Sequence, residues 1–583
     1  MLQKKYWLGL LGLALTFLWV ACNKDLQNNG NWPGKNVQTT FIGRVTDANG
    51  NAVSGATATV GTLSTTTDNN GVFRLEKAPV NSSRAKITIQ KNGYWTNIRT
   101  LFVNKEATYN LRFTLLQETV IANFNSANGA NLNVSNASLR FDAGSISRDG
   151  QAYNGTVVVT GAYLDPEADN LLDVVPGALR GLRSNGEEEL LQTFGMVGIR
   201  LSDPSGNPLQ ITSGKTVEMT ATIPSGLLAQ APDEVPMWHF DETEGLWKEE
   251  GVATKTGNQY KASVSHFSWW NYDASAPAIL LSGRVVDQNG NPISQAHVWA
   301  CPETISAGVG CGHGSPDVAG NFSGLAPKGV LLRIEIYTQD NSLAPCNNII
   351  HSQLAGPFNA DTDLGNIVVN LGALPGSLAN APVSGRILDC NGQPVANGYA
   401  IVSRGVGVLP TDANGEFNGS LIYCTNNAPA NISATGVDLD NLKQSLELSL
   451  PVSTNLNFGD ISACNNLEAY VVYSLDGGNN ITIPITNQDS SFISQEYVSL
   501  YAAVGNNFIQ LDFGHNGVAG SSHPLQYIGV NGFWSNTINV TTTITFFPPA
   551  IGGYMTGTFS GTFTDSNGGA HTINGNYRIR RNI

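Results

Sequence analysis

The chain has 583 residues, with 31 Lys plus Arg against 45 Asp plus Glu, a net charge of −14 and only 13% charged residues. That length exceeds what one core fills and points to several domains, while an apolar fraction of 41% excludes a disordered acidic chain and the acidic balance excludes a basic nucleic-acid footprint. The 63 Gly residues, with plentiful Ser, Thr and Asn, favour turns and exposed strand faces over helices, so the expected class is a large, multidomain, all-β protein.

Residues 1–21 read as a signal peptide: Lys4 and Lys5, then an apolar stretch from Tyr6 to Val20, then the small residue Ala21. The stretch is shorter than the ~20 residues of a comfortable membrane span. With Cys22 directly after Ala21, it resembles a bacterial lipoprotein signal, although Trp19 stands where the usual lipobox has Leu. The resemblance implies acylation of Cys22 and attachment to the membrane through lipid. Residues 22–38 are polar, rich in Asn and Gly, and read as a flexible tether. Lys24-Asp25 is similar to the start of the export signal of Bacteroidetes-type surface lipoproteins, which implies a cell-surface place on the bacterial outer membrane.

A repeat runs through the chain three times. FIGRVTDANGNAV starts at Phe41, LSGRVVDQNGNPI at Leu281 and VSGRILDCNGQPV at Val383. Each is followed by a D-x-x-G-x-F turn, at Asp68/Gly71/Phe73, Asp317/Gly320/Phe322 and Asp412/Gly415/Phe417. Asn-Gly between alternating apolar residues is a hairpin signal, because the turn needs positive φ. The preceding Asp can accept backbone N–H groups of the turn. A calcium loop at Asp47, Asn49 and Asn51 is the rival reading, but it lacks the further oxygen ligands and distal Glu that such a loop uses. The pattern resembles the carboxypeptidase regulatory-like domain, a transthyretin-like sandwich with a carbohydrate-binding-like fold. That implies an all-β chain of tandem β-sandwich domains, with modules at 39–116, 277–372 and 373–464, accessory in kind and without catalytic residues.

Between the first two copies, 117–276 reads as a Trp-rich β module. PGALRG at 176–181, W-H-F-D from Trp238, Trp247 and the HFS from His266 resemble the ectodomain module of cartilage intermediate-layer proteins. Trp238, Trp247, Trp269 and Trp270 are the candidate ligand residues, because sugars stack on exposed rings; His239, Asp241, His266 and Asp273 lie beside them. The competing reading is core packing, since Trp buries a large area. Alternation sets Trp238 and Phe240 on one face, and Trp269 and Trp270 on opposite faces, so at most one of the last two should share a core.

Apart from Cys22, six Cys lie between 301 and 464: Cys301, Cys311, Cys346, Cys390, Cys424 and Cys464. An even number in an oxidising compartment fits three disulfides of open pairing. A metal site at Cys301, Cys311 and His313 would lack a fourth ligand and the usual spacing. Residues 465–583 form a last β domain of successive strands, ending in Arg578, Arg580 and Arg581. No nucleophile elbow, H-E-x-x-H, P-loop or dinucleotide fingerprint is present. The expectation is a non-enzymatic surface lipoprotein, with no cofactor and no metal, that binds or presents a site for a glycan or protein. The alternative is a structural subunit of a surface assembly, and a hydrolase with accessory modules ranks third.

Overall fold

Strand-forming sequence between Gly and Asn turns yields strands almost throughout the computed structural model. It describes residues 32–581, apart from short segments at 305–306, 339–342, 344, 442, 467–468, 479–480, 486–490, 495, 505–506, 536 and 548–553. Cys22, the expected signal peptide and most of the expected tether lie outside the described residues. The helical pieces among the described residues are single turns at Leu171–Val174, Leu228–Gln230 and Thr425–Asn427, and among the described residues no helix is long and apolar enough to cross a membrane.

The three repeats share one topology. Strand Asn36–Asp47 pairs antiparallel with Val72–Asn81 and parallel with Thr108–Leu115. The C-terminal part of Trp269–Asp287 does the same with Asn321–Pro327 and Thr362–Val369. Leu378–Leu388 repeats it with Glu416–Cys424 and Leu456–Ser462. In each, a second sheet faces this one across a core.

The turn motifs explain the repeat physically. Oδ1 of Asp47 accepts the N–H groups of Asn49 and Asn51, both at 2.9 Å, and Asp287 and Asp389 do the same at 2.8 Å. Oδ2 of Asp47 is taken by the Asn51 amide at 3.0 Å, so these carboxylates serve the turn. The Gly of each Gly-Arg lies directly across from the Phe of the second motif: Gly43 from Phe73, Gly283 from Phe322 and Gly385 from Phe417. A Cβ on Gly43 would sit 2.2 Å from the Phe73 ring. Glycine therefore makes room for the buried Phe, and the two motifs require each other.

The Trp-rich module is a mainly antiparallel assembly, with Arg180–Leu182 parallel to Leu246–Thr256, and has one core on each face of its central strands. Strand Trp269–Asp287 belongs to two units. Residues up to Pro277 pair with Glu188–Ser202, and from Ala278 onward they pair with Asn321–Pro327 of the second repeat. The module boundary expected at 276/277 thus falls inside one continuous strand, with no linker.

Further contacts join the units. Trp95 and Ile98 of the first repeat share a core with Trp238, Phe240, Trp247 and Trp269. Ile42 and Val72 of the first repeat share another with Tyr399, Val408 and Val437 of the third. Cys346 of the second repeat is bonded to Cys424 of the third. Residues 469–581 form a separate antiparallel sandwich with its own core, in which Val471, Tyr473, Leu500, Leu511, Phe513 and Ile528 are all wholly buried.

Candidate functional site

The C-terminal sandwich carries an aromatic strip on the outer face of its five-stranded sheet, ordered Ser491–Ile493, Tyr497–Val504, Asn507–Gly514, Tyr527–Val530, Phe533–Ser535. Alternation sends Val498, Leu500, Ile509, Leu511, Phe513, Ile528 and Val530 into the core. The residues between them face outward. Register then places Tyr501, Gln510, Gly529 and Trp534 in one row across four strands, and Ser499, Asp512 and Tyr527 in the next.

Trp534 lies on the backbone at Gly529: a Cβ there would stand 2.5 Å from ring atoms Cε3 and Cζ3. Only glycine lets the indole settle onto the sheet. Its ring centroid is 4.9 Å from Phe508 at 33° and 5.9 Å from Tyr527 at 36°. Tyr501 continues the strip, 6.4 Å from Phe508 at 29°. Trp534 and Tyr501 are each 39% exposed. The low angles give a shallow aromatic floor. Polar groups border it: Asp512 accepts from Ser499 Oγ at 2.7 Å and from Gln510 Nε2 at 3.2 Å. Burial, with the Asp512 charge second, raises the Tyr527 phenol above its ordinary value. Sequence reading passed over this strip. The signal available was at least one aromatic at an outward position in each of four neighbouring runs.

The four Trp candidates are in a different state. Trp238 and Trp247 are 0% exposed, Trp270 1% and Trp269 4%. Three of their indoles are spent on backbone carbonyls: Trp238 on Asp273 at 3.1 Å, Trp247 on Pro176 at 3.0 Å and Trp270 on His266 at 3.0 Å. The expectation that they offer stacking faces is therefore corrected. Trp269 and Trp270 do point to opposite faces, and only Trp269 joins the core of Trp238 and Trp247. Both faces of the sheet are covered, because the first repeat docks over Trp238, Trp247 and Trp269 while Trp270 fills the module's inner core. The PGALRG segment serves this packing: a Cβ on Gly181 would meet Trp238 at 2.5 Å, and one on Gly177 would meet Phe240 at 2.6 Å. Its Arg180 is buried against Glu188, which also pairs with Arg84 of the first repeat.

The first repeat can be placed among known proteins. Residues 40–116 match the carboxypeptidase regulatory-like domain family. Around this carboxypeptidase regulatory-like domain, the second and third repeats reproduce its strand order and both Asp-centred turns. No curated protein matches the chain. Among solved structures, the shaft pilin spaA from Lactobacillus rhamnosus GG aligns with 33% of this chain and 98% of its own, at 6% identity and a TM-score of 0.17. BcpA, the major pilin subunit of Bacillus cereus, aligns with 74% of this chain and all of its own, at 10% identity and a TM-score of 0.11. The Bacillus anthracis TIE protein aligns with 74% of this chain and 68% of its own, at 10% identity and a TM-score of 0.13. Scores this low mark local overlap between β proteins, and no role carries over.

The six Cys form three bonds: Cys301–Cys311, Cys346–Cys424 and Cys390–Cys464. The first removes both sulfurs from the metal reading with His313. That histidine is half-buried, and desolvation, with Arg99 second, pushes it down to about 4.

Proposed function

We propose that the chain is a non-enzymatic surface lipoprotein, anchored through Cys22, whose C-terminal sandwich binds a glycan chain on the Tyr501–Phe508–Trp534–Tyr527 strip. The observation that carries this reading is Trp534 seated on Gly529 with neighbouring rings at shallow angles. The weakly positive C–H face of a pyranose suits the negative face of such a ring. Gln510, Asp512 and Ser499 supply donors and acceptors for hydroxyl groups at the border of the floor. In this reading the second and third repeats are also regulatory-like domains, and with the Trp-rich module they form the body that holds the sandwich away from the membrane. Three disulfides favour an oxidising compartment for that body.

The test is retention of the full chain on a panel of insoluble and arrayed polysaccharides. Trp534→Ala should weaken retention at least tenfold, about 1.4 kcal/mol. No retention on any glycan, or retention indifferent to Trp534→Ala, overturns the proposal. A structural role in a surface assembly is the second reading, favoured by the Cys346–Cys424 bond and the shared cores between units. It expects a stable protein partner after crosslinking on cells.

A further inference from the structure

The Trp-rich module brings together two histidines and a carboxylate from three chain segments. His239 is on strand Glu234–Asp241, Glu250 on strand Leu246–Thr256, and His266 on the connection that precedes strand Trp269–Asp287. The two strands pair Pro236 with Val252 and Trp238 with Glu249. One residue of the first strand therefore faces two of the second, Glu250 and Gly251, which is a β-bulge. Gly251 takes φ +90°, a conformation that favours glycine. Bulges re-aim side chains, and here the carboxylate is aimed at both imidazoles.

Oε2 of Glu250 lies 3.2 Å from Nε2 of His266 and 3.6 Å from Nε2 of His239. The three ligand atoms all lie within 4.8 Å of one another. A tetrahedral zinc with bonds of ~2.0–2.1 Å sets its ligand atoms about 3.3–3.4 Å apart. The two carboxylate–imidazole distances, 3.2 and 3.6 Å, already have about that span, and the third separation is at most 4.8 Å.

The surroundings support a built site. Ser265 Oγ donates to Oε1 of Glu250 at 3.1 Å and leaves Oε2 toward the imidazoles. The Trp270 indole donates to the His266 carbonyl at 3.0 Å, and its ring lies 5.0 Å from the His266 ring and 5.8 Å from that of His239. Trp270 is thus a wall that holds both ligands, much as partners behind a metal's ligands fix their orientation. Lys248, across the strand pair from His239, is engaged by Asp241 at 2.7 Å and by Glu244 at 2.8 Å. Side-chain exposures of 22%, 43% and 35% for His239, Glu250 and His266 leave the site open to solvent.

We infer that His239, Glu250 and His266 form a site for one divalent transition cation of the zinc class, with an open position for water or a fourth ligand. Two imidazoles and one carboxylate suit zinc, whereas calcium calls for six to eight oxygens. No sequence motif announces the site, because its ligands are assembled by a bulge and a connecting loop. The inference is independent of the glycan proposal.

The test titrates ZnCl2, and separately CaCl2, into the untagged full chain after stripping with chelator and desalting, read by calorimetry and by thermal midpoint. One zinc should bind and raise the midpoint, and calcium should not. Glu250→Gln and His266→Ala should each weaken zinc binding at least tenfold while near-ultraviolet circular dichroism stays as in the parent chain. Absence of zinc binding up to millimolar concentration overturns the inference, as does stoichiometric binding that is the same in His239→Ala, Glu250→Gln and His266→Ala. If a variant misfolds, Ser265→Ala, which frees Oε1 of Glu250, replaces it and should weaken binding more modestly; unchanged affinity there counts against the site.

Discussion

Asp68 sits where the first and third repeats meet, and its ionisation should make that junction pH-dependent. Its Oδ1 accepts the N–H groups of Asn70 and Val72, each at 2.9 Å. Its Oδ2 accepts the hydroxyl of Tyr399, a residue of the third repeat. Both are buried, at 5% and 1% exposure. Burial raises the Asp68 carboxyl from 3.8 to about 6, against the opposing effect of these hydrogen bonds and of Arg44. The folded state therefore holds the proton more tightly than the unfolded chain. The contribution is fully present below about pH 4 and is lost as pH rises through about 6. A shift of about two units corresponds to ~3 kcal/mol. Asp68→Asn keeps an acceptor for both N–H groups and removes the charge. Relative to the parent chain it should gain about 3 kcal/mol between pH 4 and pH 7. Tyr399→Phe deletes a bond that favours the carboxylate, so it should carry the loss to higher pH. Urea unfolding across this pH range, with hydrogen exchange in strands Val72–Asn81 and Gly398–Val402 to report the junction, measures both. Parallel pH profiles for the parent chain and Asp68→Asn would refute the reasoning.

Two further perturbations probe the body of the molecule. Replacing Cys346 and Cys424 together with Ala opens a covalent loop with a sequence separation of 78, which chain entropy values at about 4.5 kcal/mol. Denaturant midpoints and protease nicking between the second and third repeats should register that loss, and an unchanged midpoint would count against the bond. Trp238→Ala should cost ~3–5 kcal/mol as a core truncation yet leave glycan retention by the folded chain intact, since Trp238 belongs to the buried core between the first repeat and the Trp-rich module.

The turn chemistry was legible because it is local. An Asp that accepts the N–H groups two and four residues ahead, as Asp47 does, needs nothing beyond its own loop. Alternation likewise gave the two faces around Trp238 and Trp270. What alternation cannot say is which faces are covered, and here both are.

By itself, then, the sequence determined the all-β class, the three repeats and the hairpin turns, since each follows from short-range backbone geometry and side-chain periodicity. Tertiary structure alone decided the rest. It paired Cys346 with Cys424 across two units and closed the Trp cluster beneath the first repeat. It also lined up Tyr501, Phe508, Tyr527 and Trp534 on one open face, and drew His239 and His266 toward Glu250 through a bulge. Each of these joins residues far apart in the chain or on separate strands. Their proximity is fixed by sheet order and by the docking of one unit on another, which no short stretch of sequence encodes.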